Sequence, residues 1–594
     1  MLWHASCVFL SPQRTETFCD FFYLYRVALL MVKSVITTWK RVIVIVIISA
    51  LSLSAGASAA DPPRAGDQIR QIPPSPIMQK TVPETPAKQE QRLTVPVQDQ
   101  TVILVKSLHI TGQTQYSEAK LVAITGFRPA SELTLSELRG MALKIAELYH
   151  KNGYFVAQAY LPAQDISNET VTINVIEGHY GDITLHNQTN LSDNLAHSLI
   201  SGLTTGGLID SVPLERRLLL LSDLPGVAVK STLIPGSSIG SSDLIVDITP
   251  GERVTGSVDA DNAGNRYTGA YRLGATVNLN DSMGLGDVAT VRTLLSNAGL
   301  YYIRASYQLQ TGSVTVGAAY SILGYHLGEE FKSLHANGTA QIMSIYGNYP
   351  LIRSRDTNLH IQLAFDDKTF QDRVDSTSTV TDKTARLLMI SLYGDHRDNF
   401  YGGGQSGYSL TWTTGSIAIQ TPAAYSYDAA TAQSSGQYNK LGYSAMRLQN
   451  ITESISLYAT INGQLALKNL DVSEKMELGG MYAVRAYPEG EVYADQGFVL
   501  NLEARLLLPT FSERLPGQIH LIGFADTGTV TINKKPWSSE PNHKTLNGAG
   551  LGITWEEYNN FAMRAYYAHK LGSGPATSAP DSPGRFWVQL VKYF

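Results

Sequence analysis

Cysteine is nearly absent from this chain. Of 594 residues only Cys7 and Cys19 carry a thiol, both near the start. A mature chain cut after a leader would hold none, which excludes disulfides, thiolate metal sites and a cysteine nucleophile. Long hydrophobic runs are missing as well. The strongest, Val42–Leu53, is about a dozen residues long, against the roughly 20 that a membrane-crossing helix needs. Positive charge is in short supply: 46 Lys and Arg face 51 Asp and Glu, a net charge of −5, which argues against a nucleic-acid partner. Catalytic signatures are also lacking. There is no H-E-x-x-H, no phosphate loop and no Cys/His cluster. The 13 histidines are scattered, as at His360 and His569. Gly236-Ser-Ser-Ile-Gly240 matches G-x-S-x-G, but a nucleophile elbow needs a helix after it. A strand-like run, Leu244–Ile248, follows instead, so the motif reads as a hairpin turn. No enzyme, metal site or cofactor is expected.

What is present begins with a leader. Lys40-Arg41, the short apolar run and Ala57-Ser-Ala59 have the layout of a secretory signal peptide cleaved near Ala59. A start at Met31 would make that signal ordinary, and Met1–Leu30 reads as an N-terminal extension. Without residues 1–59 the chain keeps 41 basic against 49 acidic residues, a balance of −8. Residues 60–100 are rich in Pro and Gln and read as an extended linker. Only Gly66–Ile72 leaves room to start a helix before Pro73 stops it. A linker is therefore favoured over a plug helix here.

From 101 the pattern is β-α-α-β-β. Val102–Ile110 is strand-like, and Thr134-Leu-Ser-Glu137 is a capping box. Leu135, Leu138, Met141, Ala142, Ile145, Leu148 and Tyr149 follow at helical spacing until Gly153. Tyr154–Leu161 and Val171–Val175 read as a strand pair. The same order recurs over 179–250: strand Ile183–Leu185, helices around Leu191–Ile200 and Val212–Leu224, strands Val227–Leu233 and Leu244–Ile248. Beyond Gly251 the period is two. Tyr271, Leu273, Ala275, Val277 and Leu279 alternate with Arg272, Gly274, Thr276, Asn278 and Asn280. Phe498, Leu500, Leu502, Ala504 and Leu506 alternate with a face holding Asn501, Glu503 and Arg505. Apolar-out, polar-in alternation over about 340 residues suits a membrane barrel, whose sheet must close on itself. At about 20 residues per strand and connection, that length gives about 16 strands.

Three motifs stand in order near the C-terminus. The first is Leu478-Gly-Gly-Met-Tyr-Ala-Val-Arg-Ala-Tyr-Pro-Glu-Gly-Glu491; the second is Gly523-Phe-Ala-Asp-Thr-Gly528; the third is an aromatic final strand ending at Phe594. Together they resemble the outer-membrane transporters of two-partner secretion, the TpsB family. Gly153-Tyr-Phe-Val-Ala-Gln-Ala-Tyr-Leu-Pro-Ala-Gln-Asp-Ile166 with Val175-Ile-Glu-Gly178 resembles that family's first POTRA domain.

The resemblance implies a mainly β protein: a 16-stranded transmembrane barrel over 251–594, preceded by two periplasmic POTRA domains at 101–178 and 179–250. It implies a long loop, about 471–495, folded back into the barrel. There Arg485 would pair with Asp526, flanked by Gly479, Gly480, Val484, Tyr487, Pro488 and Gly490 on the loop and by Phe524 and Gly528 on the strand. Ala486 stands where the family usually has Gly. Gly153, Tyr154, Tyr160, Leu161 and Pro162 are the expected partner-recognition residues. Leu590 and Phe594 are the expected signal to the barrel assembly machinery, with Lys592 interrupting its apolar face and able to snorkel. The implied function is capture of an unfolded exoprotein bearing an N-terminal secretion domain and its export through the barrel, with activation as a further possibility of the type. The other partners are outer-membrane lipid and the assembly machinery. A barrel-assembly factor would share the barrel and the arginine motif but carry more POTRA repeats. A passive porin would lack both POTRA domains and the loop.

Overall fold

The computed structural model describes residues 62–78, 102–166, 168–509, 515–572 and 574–594. The expected signal peptide and most of the 60–100 segment lie outside them.

The first α+β domain is built on the helix Leu135–Lys151. Its capping box is formed, with Thr134 N donating to Glu137 Oε2 at 2.7 Å and Glu137 N to Thr134 Oγ1 at 3.2 Å. Leu138, Ala142, Ile145 and Tyr149 lie on one stripe and are buried. They pack against Leu108, Ile110, Val171, Ile173 and Val175. Two expectations need correction. Val102–Ile110 is two strands in different sheets: Val102–Val105 pairs with Ser131–Thr134, and Ser107–Thr111 runs parallel to Thr170–Ile176. The break falls at Lys106, whose N–H donates to Glu169 O at 2.7 Å. The expected strand Tyr154–Leu161 shrinks to Gln158–Tyr160, because the helix exit uses the preceding residues as turns. Tyr154 N returns to Tyr149 O, and Ala157 N to Tyr154 O.

Glu177, at the end of this sheet, is 2 % exposed. Its carboxylate accepts from Thr114 N at 2.6 Å, Gln115 N at 2.9 Å and the Tyr149 hydroxyl at 2.7 Å. Burial pushes this carboxyl up. The hydrogen bonds from Thr114, Tyr149 and Gln115 outweigh burial and hold it below its ordinary range.

The second domain repeats the plan. His179–Asn187 runs parallel to Ser241–Pro250, which pairs antiparallel with Val227–Pro235. Helices Asp193–Ile200 and Ser211–Ser222 cover that sheet. The G-x-S-x-G run is the turn between the two antiparallel strands. This domain docks on the barrel turn between Ala336–Arg353 and Thr357–Val374. Arg353 clamps Asp223 through Nε and Nη2, each at 2.7 Å, and Arg216 donates to Pro350 O and Leu351 O.

Sixteen antiparallel strands, from Val254–Asp261 to Gly584–Tyr593, close into one barrel. Leu273 and Val277 point outward and are exposed, while Arg272 and Thr276 point inward and are buried. No helix among the described residues is long and apolar enough to cross a membrane; here the crossing elements are strands. Backbone ladders are long on one side of the barrel, where Thr357–Val374 and Thr379–Asp398 match over eighteen residue pairs. At the closing seam the first and last strands match over five. Past the end of that ladder the Asn262 side chain substitutes for backbone. Its Nδ2 donates to Phe586 O at 2.8 Å, and its Oδ1 accepts from Val588 N at 2.7 Å. Phe594 completes the seam by exchanging two backbone hydrogen bonds with Gly256.

Candidate functional site in the barrel lumen

The segment between the eleventh strand, Ile455–Ala466, and the twelfth, Gln496–Leu507, turns into the barrel rather than away from it. It opens with a 3₁₀ turn, Val472–Glu474, and is pinched by a small hairpin of Met476–Leu478 with Val492–Ala494. Gly479 and Gly480, at φ +124° and +90°, make the corner beyond the hairpin. Those backbone angles strain any other residue. Val484, Ala486, Tyr487 and Pro488 are buried at the tip of the turn.

Arg485 is the centre of the tip. Its Nε donates to Asp526 Oδ2 at 2.9 Å and its Nη2 to Asp526 Oδ1 at 2.7 Å, and the backbone N–H adds a third bond to Oδ2 at 3.1 Å. The remaining arm, Nη1, reaches Glu503 Oε1 at 2.7 Å. The guanidinium carbon lies 3.6 Å from the centroid of the Phe524 ring, a cation–π contact that a planar cation suits. Asn501 Nδ2 donates to Asp526 Oδ1 and also to Ala483 O. Trp587 on the last strand donates its indole N–H to Arg485 O at 2.7 Å. Arg485, Asp526 and Glu503 are all less than 10 % exposed. A desolvated cation thus meets two carboxylates, and Arg505 takes up the second oxygen of Glu503 at 2.9 Å.

Strand register explains why these groups converge. Asn501 faces Asp526 directly across the twelfth and thirteenth strands, and Glu503 faces Phe524. Gly528 is needed for close approach, since a Cβ there would lie 2.2 Å from Leu478 Cδ1. Ala486, the departure from the usual glycine, is not in the left-handed region. Its methyl fits because the fourteenth strand carries Gly548 opposite: a Cβ on Gly548 would lie 2.5 Å from Ala486 Cβ. The rim of the loop has its own anchor. Glu491 accepts from Thr577 N, Ser578 N and Lys544 Nζ, the last at 2.8 Å. Gly490 N donates to Glu477.

The linker expectation is corrected here. Ala65–Arg70 forms a helix of six residues inside the barrel, ending before Pro73. Ala65 N donates to Asp372 Oδ1 at 2.7 Å; at the other end Arg272, itself held by Asp261, donates to Gln71 O at 2.9 Å. Carboxylate at the first turn and guanidinium at the last match the polarity of the helix dipole. Arg70 also reaches Ser473 O at 3.4 Å, so helix and inward loop touch.

The residues expected to recognise a partner sit in different local settings. Gly153, at φ +96°, accepts from Ser211 N at the junction of the two α+β domains. Tyr154 stacks edge-on with Tyr149, and Leu161 packs on the first domain's core. Pro162 is half-buried, and Tyr160 is 41 % exposed. On the last strand Phe586, Leu590 and Phe594 face outward while Trp587 faces the lumen. Lys592 reaches Asn560.

Comparison with known proteins places this arrangement. The family model described as haemolysin secretion/activation protein ShlB/FhaC/HecB matches residues 240–555. A POTRA domain of the ShlB type matches 103–178. The chain is 29 % identical over 472 residues to the heme/hemopexin transporter protein HuxB of Haemophilus influenzae, covering 78 % of this chain and 82 % of that protein. It is 23 % identical over 434 residues to the outer membrane transporter CdiB of Dickeya dadantii, covering 71 % and 74 %. Among solved structures, CdiB from Escherichia coli superposes with a TM-score of 0.66 at 19 % identity, over 86 % of this chain and 93 % of that one. BamA from Haemophilus ducreyi lacking its first three POTRA domains gives 0.51 at 13 % identity, over 83 % and 100 %.

Proposed function

The chain belongs to the haemolysin secretion/activation family of ShlB, FhaC and HecB, and from that premise we infer how it works as a two-partner secretion transporter of the outer membrane. An exoprotein partner is exported through its barrel. The observation that carries this reading is the combination of a POTRA domain and a second α+β domain of the same plan with a closed sixteen-stranded barrel holding an arginine-anchored loop. The POTRA domains lie in the periplasm after signal-peptide cleavage near Ala59 and present open sheet edges to an unfolded chain. A strand added to such an edge is held by main-chain hydrogen bonds and tolerates many side chains. The outward apolar face contacts outer-membrane lipid. The last strand, ending in Phe594, is the address read by the barrel assembly machinery. We read the chain as a transporter rather than an enzyme, a reading that its membership of a transporter family supports. Activation of the exported partner would be coupled to its passage.

The test is deletion of the gene. The partner exoprotein is expected to stay cell-associated or be degraded, while other outer-membrane barrels assemble normally. A general loss of barrel assembly without a specific secretion defect would favour the assembly-factor reading instead.

A further inference from the structure

Away from the arginine site, the barrel wall carries three inward lysines that meet at the start of the inward loop. They are Lys368 on the seventh strand, Thr357–Val374, Lys383 on the eighth, Thr379–Asp398, and Lys440 on the tenth, Gly436–Asn450. Lys368 Nζ lies 2.9 Å from Glu474 Oε1, and Lys440 Nζ lies 2.9 Å from Glu474 Oε2. Lys383 Nζ lies 2.8 Å from both oxygens of Asp471. Their side chains are between 2 % and 14 % exposed. Lys440 also donates to Glu474 O, as does Gln464. The other charges facing the group include Asp366, 4.0 Å from Lys368, Asp67 and Arg70 of the short lumen helix, and Lys475 of the loop. Two of the carboxylates that hold the lysines, Asp471 and Glu474, belong to one short loop segment.

The cations and their partners differ in mobility. The lysines are fixed to strands of a closed sheet; Asp471 and Glu474 sit on a loop, and Arg70 on a helix, both threaded through the lumen. For a long chain to pass, loop and helix have to yield space. Lys383 and Lys440 then lose the loop carboxylates that pair them, and Lys368 keeps only Asp366 at 4.0 Å, which in a narrow lumen is costly. An anionic group on the passing chain is the available replacement. The resident segment Asp471-Val-Ser-Glu474 displays what fits: two carboxylates three residues apart on a turn, with carbonyl oxygens bonded between them.

We propose that Lys368, Lys383 and Lys440 form a lumen binding site for acidic polypeptide, now occupied by the loop's own Asp471 and Glu474, and engaged in turn by acidic stretches of the exported chain. The proposal rests on the transporter reading for its ligand but not for its test. Full-length protein is reconstituted in planar bilayers, and short peptides repeating Asp-Val-Ser-Glu, Asn-Val-Ser-Gln or Lys-Val-Ser-Lys are added as blockers. In the D471N/E474Q protein, whose resident ligand is weakened, the acidic peptide is expected to block at about tenfold lower concentration than its neutral twin, a difference of about 1.4 kcal/mol. The basic peptide is expected to block no better than the neutral one. The preference should fade near 1 M salt, where the screening length is about 3 Å. Adding K368Q/K383Q/K440Q should abolish it, and K368R/K383R/K440R, which keeps the charge, should retain it. Equal block by acidic and neutral peptides in D471N/E474Q, or a preference that survives removal of the lysines, overturns the site. The arginine set decides the matter should the glutamine set fail to insert. No partner protein enters this assay, so its failure leaves the transporter reading standing, and the gene deletion tests that separately.

Discussion

At the scale of single residues, Arg485 does what lysine cannot. Its fork spends two arms on Asp526 and one on Glu503 while its flat face covers Phe524. Removing one member of a buried charged pair strands the other, at a cost of about 3–5 kcal/mol. Arg485→Ala and Asp526→Ala are therefore expected to slow exoprotein release strongly while the barrel still inserts and stays heat-modifiable. Arg485→Lys should recover only part of the rate. A double-mutant cycle on release rate checks the pairing, with coupling on the order of 0.5–3 kcal/mol for groups in contact. Additive defects would refute it. That Asp526 faces the lumen was legible in the sequence, because a carboxylate within an alternating strand of a membrane barrel is disfavoured on the lipid face; its pairing with Arg485 was implied by the family resemblance of the two motifs. Glu503 was legible only as a member of the polar face it shares with Asn501 and Arg505. Which of the three meets the arginine depends on register, and one sequence does not show register.

At the scale of elements, long periodic segments were readable and short ones were not. The helix Leu135–Lys151 announces itself by cap and stripe. The six-residue lumen helix has no stripe, and its two ends are held by Asp372 and Arg272, hundreds of residues away. The wall lysines were invisible for the same reason: parity turns them inward, but only the folded loop brings acids to them. In the first POTRA domain Glu177 ties the sheet end to the turn at Thr114 and Gln115 and to the helix through Tyr149. Its carboxyl is held below its ordinary range. A lowered folded value stabilises the domain above the unfolded pKa of about 4.3, and the gain is lost as pH falls through the folded value. Glu177→Gln is expected to cost about 1–3 kcal/mol at neutral pH and to flatten the domain's acid sensitivity. Limited proteolysis of the full chain between neutral and acidic pH checks this. An acid profile unchanged by the substitution would rule Glu177 out as its source.

At the scale of the whole molecule, strand number followed from length, whereas the contents of the lumen did not. Two inserted elements fill what alternation alone would have left as a pore. Their contacts reach around much of the wall, from Lys368, Lys383 and Lys440 through Asp526 to Lys544 and Trp587. The second α+β domain is clamped to the barrel through Arg353 and Asp223. Against that bracing, the seam of five residue pairs is the thinnest part of the sheet. The consequence is a matter of time. Backbone amides exchange with solvent at rates set by how often their local hydrogen bonds open, so a cylinder with one short ladder should not exchange uniformly. In deuterated buffer, the seam-facing amides of Val588, Leu590 and Lys592 are expected to label well before those of Gln362 and Ala364, which sit in the middle of the eighteen-pair ladder. Asn262→Ala removes the side chain that prolongs the seam and should advance that labelling further, leaving the long ladder untouched. Equal labelling on both sides would mean that the barrel opens as one unit, and the seam would then set no clock of its own.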